Sequence, residues 1–289
     1  MQTLTRTAGN RLFDPALLMA TPAALFMLAV FVYPFFNGLF LSFHPMDGNA
    51  FANYRKFFST ENLWQTIGAT MRLALPATLI NVGIALPVAY RLRHKTRYQK
   101  IATTILVIPI TLGTVLIAEG MLTYFGPKGW FSQFLALFSI TGVRLTHNYW
   151  GVLISLVISG FPFAFLLILS YITGIDPALS RAAATLGANP RQQFRHIVLP
   201  LIFPGLAMAF CLSFVQAFSV FPSAVLLGSP AGVTRVISLA AYEAAFENYD
   251  YSMASAIAMI MGAVQLAVVS LVLGLRRFAY RGPTSGGKG

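Results

Sequence analysis

Six long apolar stretches separated by polar segments set the pattern of this 289-residue chain. They run over Ala16–Phe43, Thr66–Tyr90, Ile101–Phe125, Trp150–Ile172, Leu201–Leu227 and Met253–Leu275. A helix of about 20 mostly apolar residues crosses a hydrocarbon core of about 30 Å, and it pairs its own backbone N–H and C=O groups where lipid offers none. The pattern therefore predicts an all-α membrane protein with six transmembrane helices, a single domain over residues 1–289. The first stretch is longer than the apolar region of a cleaved signal peptide, about 7–15 residues, and is expected to remain as an anchor. Prolines lie inside the stretches at Pro22, Pro34, Pro76, Pro87, Pro109, Pro162, Pro204 and Pro222. Each removes a backbone donor and is expected to bend its helix.

Between the fourth and fifth stretches the periodicity changes. "IDPALSRAAATLGANPRQQFRHIVLP" (Ile175–Pro200) reads as two short capped helices rather than a plain loop. Asp176-Pro177 is a helix start: the carboxylate accepts from free N–H groups, and proline at the first position has no N–H to satisfy. Leu179, Ala182, Ala183 and Leu186 fall at i, i+3, i+4 and i+7, which is one apolar stripe. Gly187 sits where a helix end wants a left-handed residue. Asn189-Pro190 repeats the start, and Phe194, Ile197 and Val198 form a second stripe. A helix of about ten residues is marginal in water on its own. Its stripe needs a surface: the chain's own helix ends, the lipid, or a cytoplasmic partner.

Composition agrees with the pattern. The chain is 57% hydrophobic and 10% charged, against about 25% charged in soluble domains. The formal net charge is +12, which on a soluble protein would suggest nucleic acid; its distribution points to membrane topology instead. One side of the six-span layout holds Arg6, Arg11, Arg91, Arg93, Lys95, Arg97, Lys100, Arg181, Arg191, Arg195, Arg276, Arg277, Arg281 and Lys288. The other holds Arg55, Lys56, Lys128, Arg144 and Arg235, with Arg72 inside the second stretch. The bias puts both termini in the cytoplasm, as an even number of spans requires. The outside segment 126–149 contains "WFSQFLALF", a candidate interfacial helix. The tail 281–289 is expected to be disordered.

The stretch "RAAATLGANPRQQFRHIVLP" resembles the cytoplasmic signature of permease subunits of type I ABC importers: E-A-A, three residues, G-A, then an aromatic and a final L-P. Ala182, Ala183, Leu186, Gly187, Ala188, Phe194, Ile197, Leu199 and Pro200 match it. Six spans, both ends inside and the signature between spans four and five match the family layout. "FANYRKFF" (Phe51–Phe58) and "SFVQAFSVFPSAVLLGSP" are similar to the polyamine, ferric-iron and phosphonate branch. The resemblance implies a type I ABC importer permease fold, in the inner membrane of a bacterium, with the hairpin of about 176–199 carrying a coupling helix. It implies two ATPase subunits holding ATP and Mg, a second permease that is a related paralogue, and a periplasmic or lipid-anchored substrate-binding protein. Leu179, Arg181, Ala182, Ala183, Leu186, Gly187 and Ala188 would meet the ATPase. The sequence departs from the signature at Arg181, where the family has glutamate, so the local ion pairing would be reversed.

The sequence has no G-x-x-x-x-G-K-[ST] phosphate loop, so no cofactor and no catalytic residue is expected in this chain. His44, His94, His147 and His196 are far apart, so no metal cluster is expected either. Glu119 is a carboxylate inside the third stretch, where it is costly unless sheltered. It is expected to face the pathway or to pair with Arg72. Gln216, Phe218, Ser219 and Phe221 are candidates to line the pathway. Glu243, Glu247 and Asp250 are candidate contacts for the binding protein. A secondary transporter without an ATPase is the alternative, but such transporters often carry inverted repeats, and none is visible.

Overall fold

A computed structural model describes residues 15–93, 97–126, 129–137, 146–229 and 232–279. They are helical, with no strand among the described residues. The candidate spans are α1 (Thr21–Ser42), α3 (Glu61–Arg91), α4 (Arg97–Phe125), α6 (Tyr149–Thr173), α8 (Pro190–Phe218) and α11 (Tyr251–Ala279). Between them lie α2 (Ala52–Ser59), α5 (Trp130–Leu137), α7 (Pro177–Thr185), α9 (Pro222–Leu226) and α10 (Ile237–Tyr242). The expected interfacial segment is helical as α5. The expected disordered tail lies outside the described residues.

The centre is a three-helix packing of α3, α6 and α8, flanked by α4 and α11. Lipid is as apolar as leucine, so close van der Waals contact rather than water exclusion holds such helices together. Small residues permit that contact: Ala74, Ala77, Ala85 and Ala89 of α3 are wholly buried. Gly160 of α6 lies directly under the Asn81 side chain, and Gly205 of α8 lies under the ring of Tyr171. Phe57, Phe165, Phe214 and Phe218 fill the space between helices. By contrast, α1 is exposed from Thr21 to Asn37 and meets the rest of the chain mainly through α11. The C-terminal end of α1, the helix α2 and the N-terminal end of α11 are braced by Asn53 and Tyr54. Asn53 is buried and donates to the Ser252 hydroxyl at 3.1 Å. The Tyr54 and Ser42 hydroxyls share a hydrogen bond of 2.7 Å.

Two expected boundaries are corrected. The fifth span does not run from Leu201 to Leu227. It ends at Phe218 because Pro222 has no N–H for the Phe218 carbonyl; the chain breaks at Phe221 (φ −133°, ψ −61°) and restarts as α9. At the other end, the second arm of the hairpin is not a separate helix. It continues into the span through a widened turn at Phe194–Val198, just before Pro200, where the N–H of Leu199 reaches back to the Phe194 carbonyl. Of the prolines, Pro109 is followed by a break in α4 at Gly113 (φ 68°, ψ 166°).

Candidate functional site

The hairpin is built by local chemistry. The Asp176 carboxylate accepts from the N–H of Ala178 at 2.8 Å, and Pro177 follows as the first helical residue. At the far end Gly187 is left-handed (φ 84°). The N–H of Ala188 then reaches the Ala183 carbonyl, and the N–H of Gly187 reaches the Ala184 carbonyl, both at 3.0 Å. This pair of bonds is the Schellman closure, which a positive φ makes possible. Two residues on, Asn189 and Gln192 exchange bonds: Asn189 Oδ1 accepts from the Gln192 N–H at 2.9 Å, and Gln192 Oε1 accepts from the Asn189 N–H at 2.8 Å. Gln193 Nε2 donates to the Ala188 carbonyl at 2.9 Å. Nearly every residue of the turn is thus tied to another.

The stripe of α7 is largely uncovered among the described residues. Leu186 is 88% exposed and Leu179 47%; Ala182 is exposed, and Ala183 and Ala188 are half-buried. The element packed on α7 is the first turn of α8. Arg181 is exposed, without an ion pair among the described residues. It lines a groove of about 280 Å³ with Arg93, Ile175, Asp176 and Ser180. Arg93 lies over the Tyr90 ring, 3.8 Å from its centre.

A second site lies within the spans. A cavity of about 60 Å³ is lined by Asn81, Thr114, Ser159, Ser213, Gln216, Ser219, Phe221 and Ser223 among others. No charged residue lines it. Asn81 is wholly buried; its Nδ2 makes two long contacts of 3.4 Å, to the Leu156 carbonyl and the Ser213 hydroxyl, and its Oδ1 has no partner. Of the four span-five candidates, Gln216, Ser219 and Phe221 reach this cavity. Phe218 does not: about 200° around the helix from Gln216, it is fully buried, its ring 5.4 Å from that of Phe214. Sequence reading missed Asn81, Ser159 and Ser213. The available signal was a polar residue within an apolar span.

The charged candidates are dispersed. Glu119 is exposed on α4 and Arg72 is exposed on α3, and neither forms an ion pair among the described residues. The expected Glu119–Arg72 bridge is therefore not formed. Of the three acids between α10 and α11 and at their ends, Glu243 is bonded to Arg235, and Asp250 caps α11, accepting from the Met253 N–H at 2.9 Å and the Ser252 hydroxyl at 3.0 Å. Glu247 is exposed and has no such partner. Among the described residues no group of three or more His, Cys, Asp or Glu could hold a metal ion.

Known proteins share this fold. Residues 81–278 match the family model described as "Binding-protein-dependent transport system inner membrane component". The sulfate transport system permease protein of Salmonella typhimurium is 28% identical over 215 residues, covering 73% of this chain and 76% of that one. A probable permease protein for starch degradation products from Thermoanaerobacterium thermosulfurigenes is 25% identical over 275 residues, 88% of this chain and 91% of the relative. Neither is named for polyamine, ferric iron or phosphonate. The backbone superposes on a chain of a bacterial alginate ABC transporter, solved with an alginate pentasaccharide-bound periplasmic protein, with a TM-score of 0.80. That match is 24% identical and covers 92% of this chain and 95% of the other, so it shows the fold. With the family match spanning both the buried centre and the hairpin, the chain belongs to the binding-protein-dependent transport system inner membrane component family, the permease subunits of ABC importers.

Proposed function

We propose that this chain forms half of the solute pathway of an ATP-driven importer in the inner membrane of a bacterium, and that α7 couples it to a separate ATPase. One observation carries the reading: a hairpin whose two helix starts are capped and whose Leu179 and Leu186 have little cover among the described residues. Burying one leucine is worth roughly 1.5–3 kcal/mol, so Leu186 and Leu179 favour a partner that takes them both. The chain carries no phosphate loop; two ATPase subunits holding ATP and Mg supply hydrolysis. A related second permease completes the pathway and brings the second hairpin. The periplasmic protein named with the alginate transporter supports delivery by a binding protein, for which Glu247 offers an unpaired carboxylate. Within the single domain, Gln216, Ser219 and Phe221 line the pathway with Asn81, and Glu119 faces it or the second permease.

Affinity purification of the tagged full chain, expressed with its neighbouring transport genes, tests this reading. An ATPase subunit should be retained in equal number to the permeases. Solute uptake into liposomes holding this chain alone, driven by an ion gradient, would instead establish the secondary-transporter reading. Orientation is tested separately. A reporter fused after Arg97 should score cytoplasmic and one fused near Gly232 periplasmic, and the reverse would overturn the charge-bias argument.

A further inference from the structure

The first three turns of α3 and the segment Gly232–Arg235 line a half-open cavity of about 620 Å³. Arg72, Arg235, Gln65, Asn62 and Trp64 line it, and among the described residues no carboxylate does. The Glu61 carboxylate nearby accepts from Gln65 at 2.8 Å. Glu243 takes one nitrogen of Arg235, whose Nε is buried without a partner. The Arg72 side chain has no hydrogen bond or ion pair among the described residues; only its carbonyl is engaged, by the Tyr149 hydroxyl at 2.7 Å. Arg72 and Arg91 are 19 positions apart in one helix, about 28 Å at 1.5 Å per residue. With Arg91 at the cytoplasmic surface, Arg72 stands at the outer limit of the hydrocarbon layer. Gln65, Gly68 and Arg72 share one exposed face at that level.

A guanidinium carries five donors and no acceptor, and it does not lose its charge. The Glu243 carboxylate offsets the charge of Arg235, so the guanidinium of Arg72 is what repels a cation here and selects an oxyanion, to which it can give paired N–H bonds. We infer that this cavity is an outer subsite for an anionic solute bearing a sulfate-like or carboxylate oxyanion, with Arg72 as its main ligand. The space exceeds that of a bare tetrahedral oxyanion, and Trp64 adds a flat face on which a sugar ring could lie. The assignment rests on the importer reading for the side from which solute arrives. It gives that reading a substrate class, and it disfavours polyamines and metal cations.

Trp64 is one of three tryptophans, so Trp130→Phe with Trp150→Phe leaves it as the sole reporter. The full chain in phosphatidylcholine nanodiscs is titrated with sodium sulfate, sodium glucuronate or putrescine at fixed ionic strength. One of the anions should produce a saturable change in Trp64 fluorescence, and putrescine should produce none. Arg72→Gln should weaken the response at least tenfold, with unchanged gel-filtration behaviour. If that variant does not fold, Arg72→Lys serves: it keeps the charge but loses the paired donors, and it should weaken binding at least threefold. A response to neither anion, an equal response in the Arg72 variant, or a response to putrescine overturns the assignment. So does a change that follows phosphatidylglycerol in the nanodisc rather than added solute, which would identify a lipid headgroup. ATPase retention is measured independently. Anion binding without a partner ATPase would overturn the importer reading and leave the subsite standing; the reverse result would do the opposite.

Discussion

Gly187→Val is expected to lower solute uptake by roughly five- to thirtyfold while leaving the amount of protein in the membrane unchanged. The effect comes from backbone conformation rather than from a lost contact. A side chain at 187 would meet nothing within 4 Å, yet φ is 84°. A β-branched residue held there carries a penalty of about 1–2 kcal/mol, and each 1.4 kcal/mol is a factor of ten in an equilibrium. The chain relieves the penalty by giving up the closure bonds from Gly187 and Ala188. The last turn of α7 then frays, and Leu186 leaves the stripe. The α3–α6–α8 packing lies elsewhere and keeps the spans inserted. Membrane level by immunoblot and uptake of labelled solute separate the two effects. Gly187→Asn is the control, because asparagine tolerates the left-handed region, and it should transport close to the parent.

Leu186→Asp is expected to have the larger effect on assembly, lowering the retained ATPase at least a hundredfold. Leu186 is 88% exposed in the isolated chain, so the substitution costs the fold itself very little. In the complex it removes roughly 1.5–3 kcal/mol of apolar burial and asks the partner to desolvate a carboxylate, which costs several kcal/mol more. Leu186→Ala, which removes only the first contribution, should lose about tenfold. Co-purification of the ATPase with each tagged variant gives the comparison. Equal retention by all three would mean that this stripe is not the docking face.

Local features were legible in the sequence, and features set by helix rotation were not. Asp176-Pro177, Gly187 and Asn189-Pro190 act on groups one to five residues away, so the local residue order located the caps, and the structure has a cap at each of the three places. Span number follows from apolar run length and is equally local. Whether Phe218 shares the cavity with Gln216 was not legible, because that depends on which way α8 is turned against α6 and α3. Its neighbour Ala217 lines the cavity, while Phe218 points into the core. The Arg72–Glu119 pairing failed for the same reason: similar depth in two spans says nothing about whether two side chains face each other. Asn81 was hidden in "LINVGIAL", where one amide among apolar residues has no periodic signature; only the packing of Gly160 beneath it explains how it is accommodated. The end of the fifth span was legible in principle, since Pro222 lies four residues past Phe218, but the apolar run continues through it.

The central claim is that α7 transmits the state of an ATPase to the spans as a rigid body. ATP hydrolysis by the reconstituted importer, with and without its loaded binding protein, tests it most directly. The parent and Gly187→Asn should both be stimulated, whereas Gly187→Val should hydrolyse ATP at a rate that ignores the loaded binding protein. Stimulation of Gly187→Val equal to that of the parent would contradict the claim.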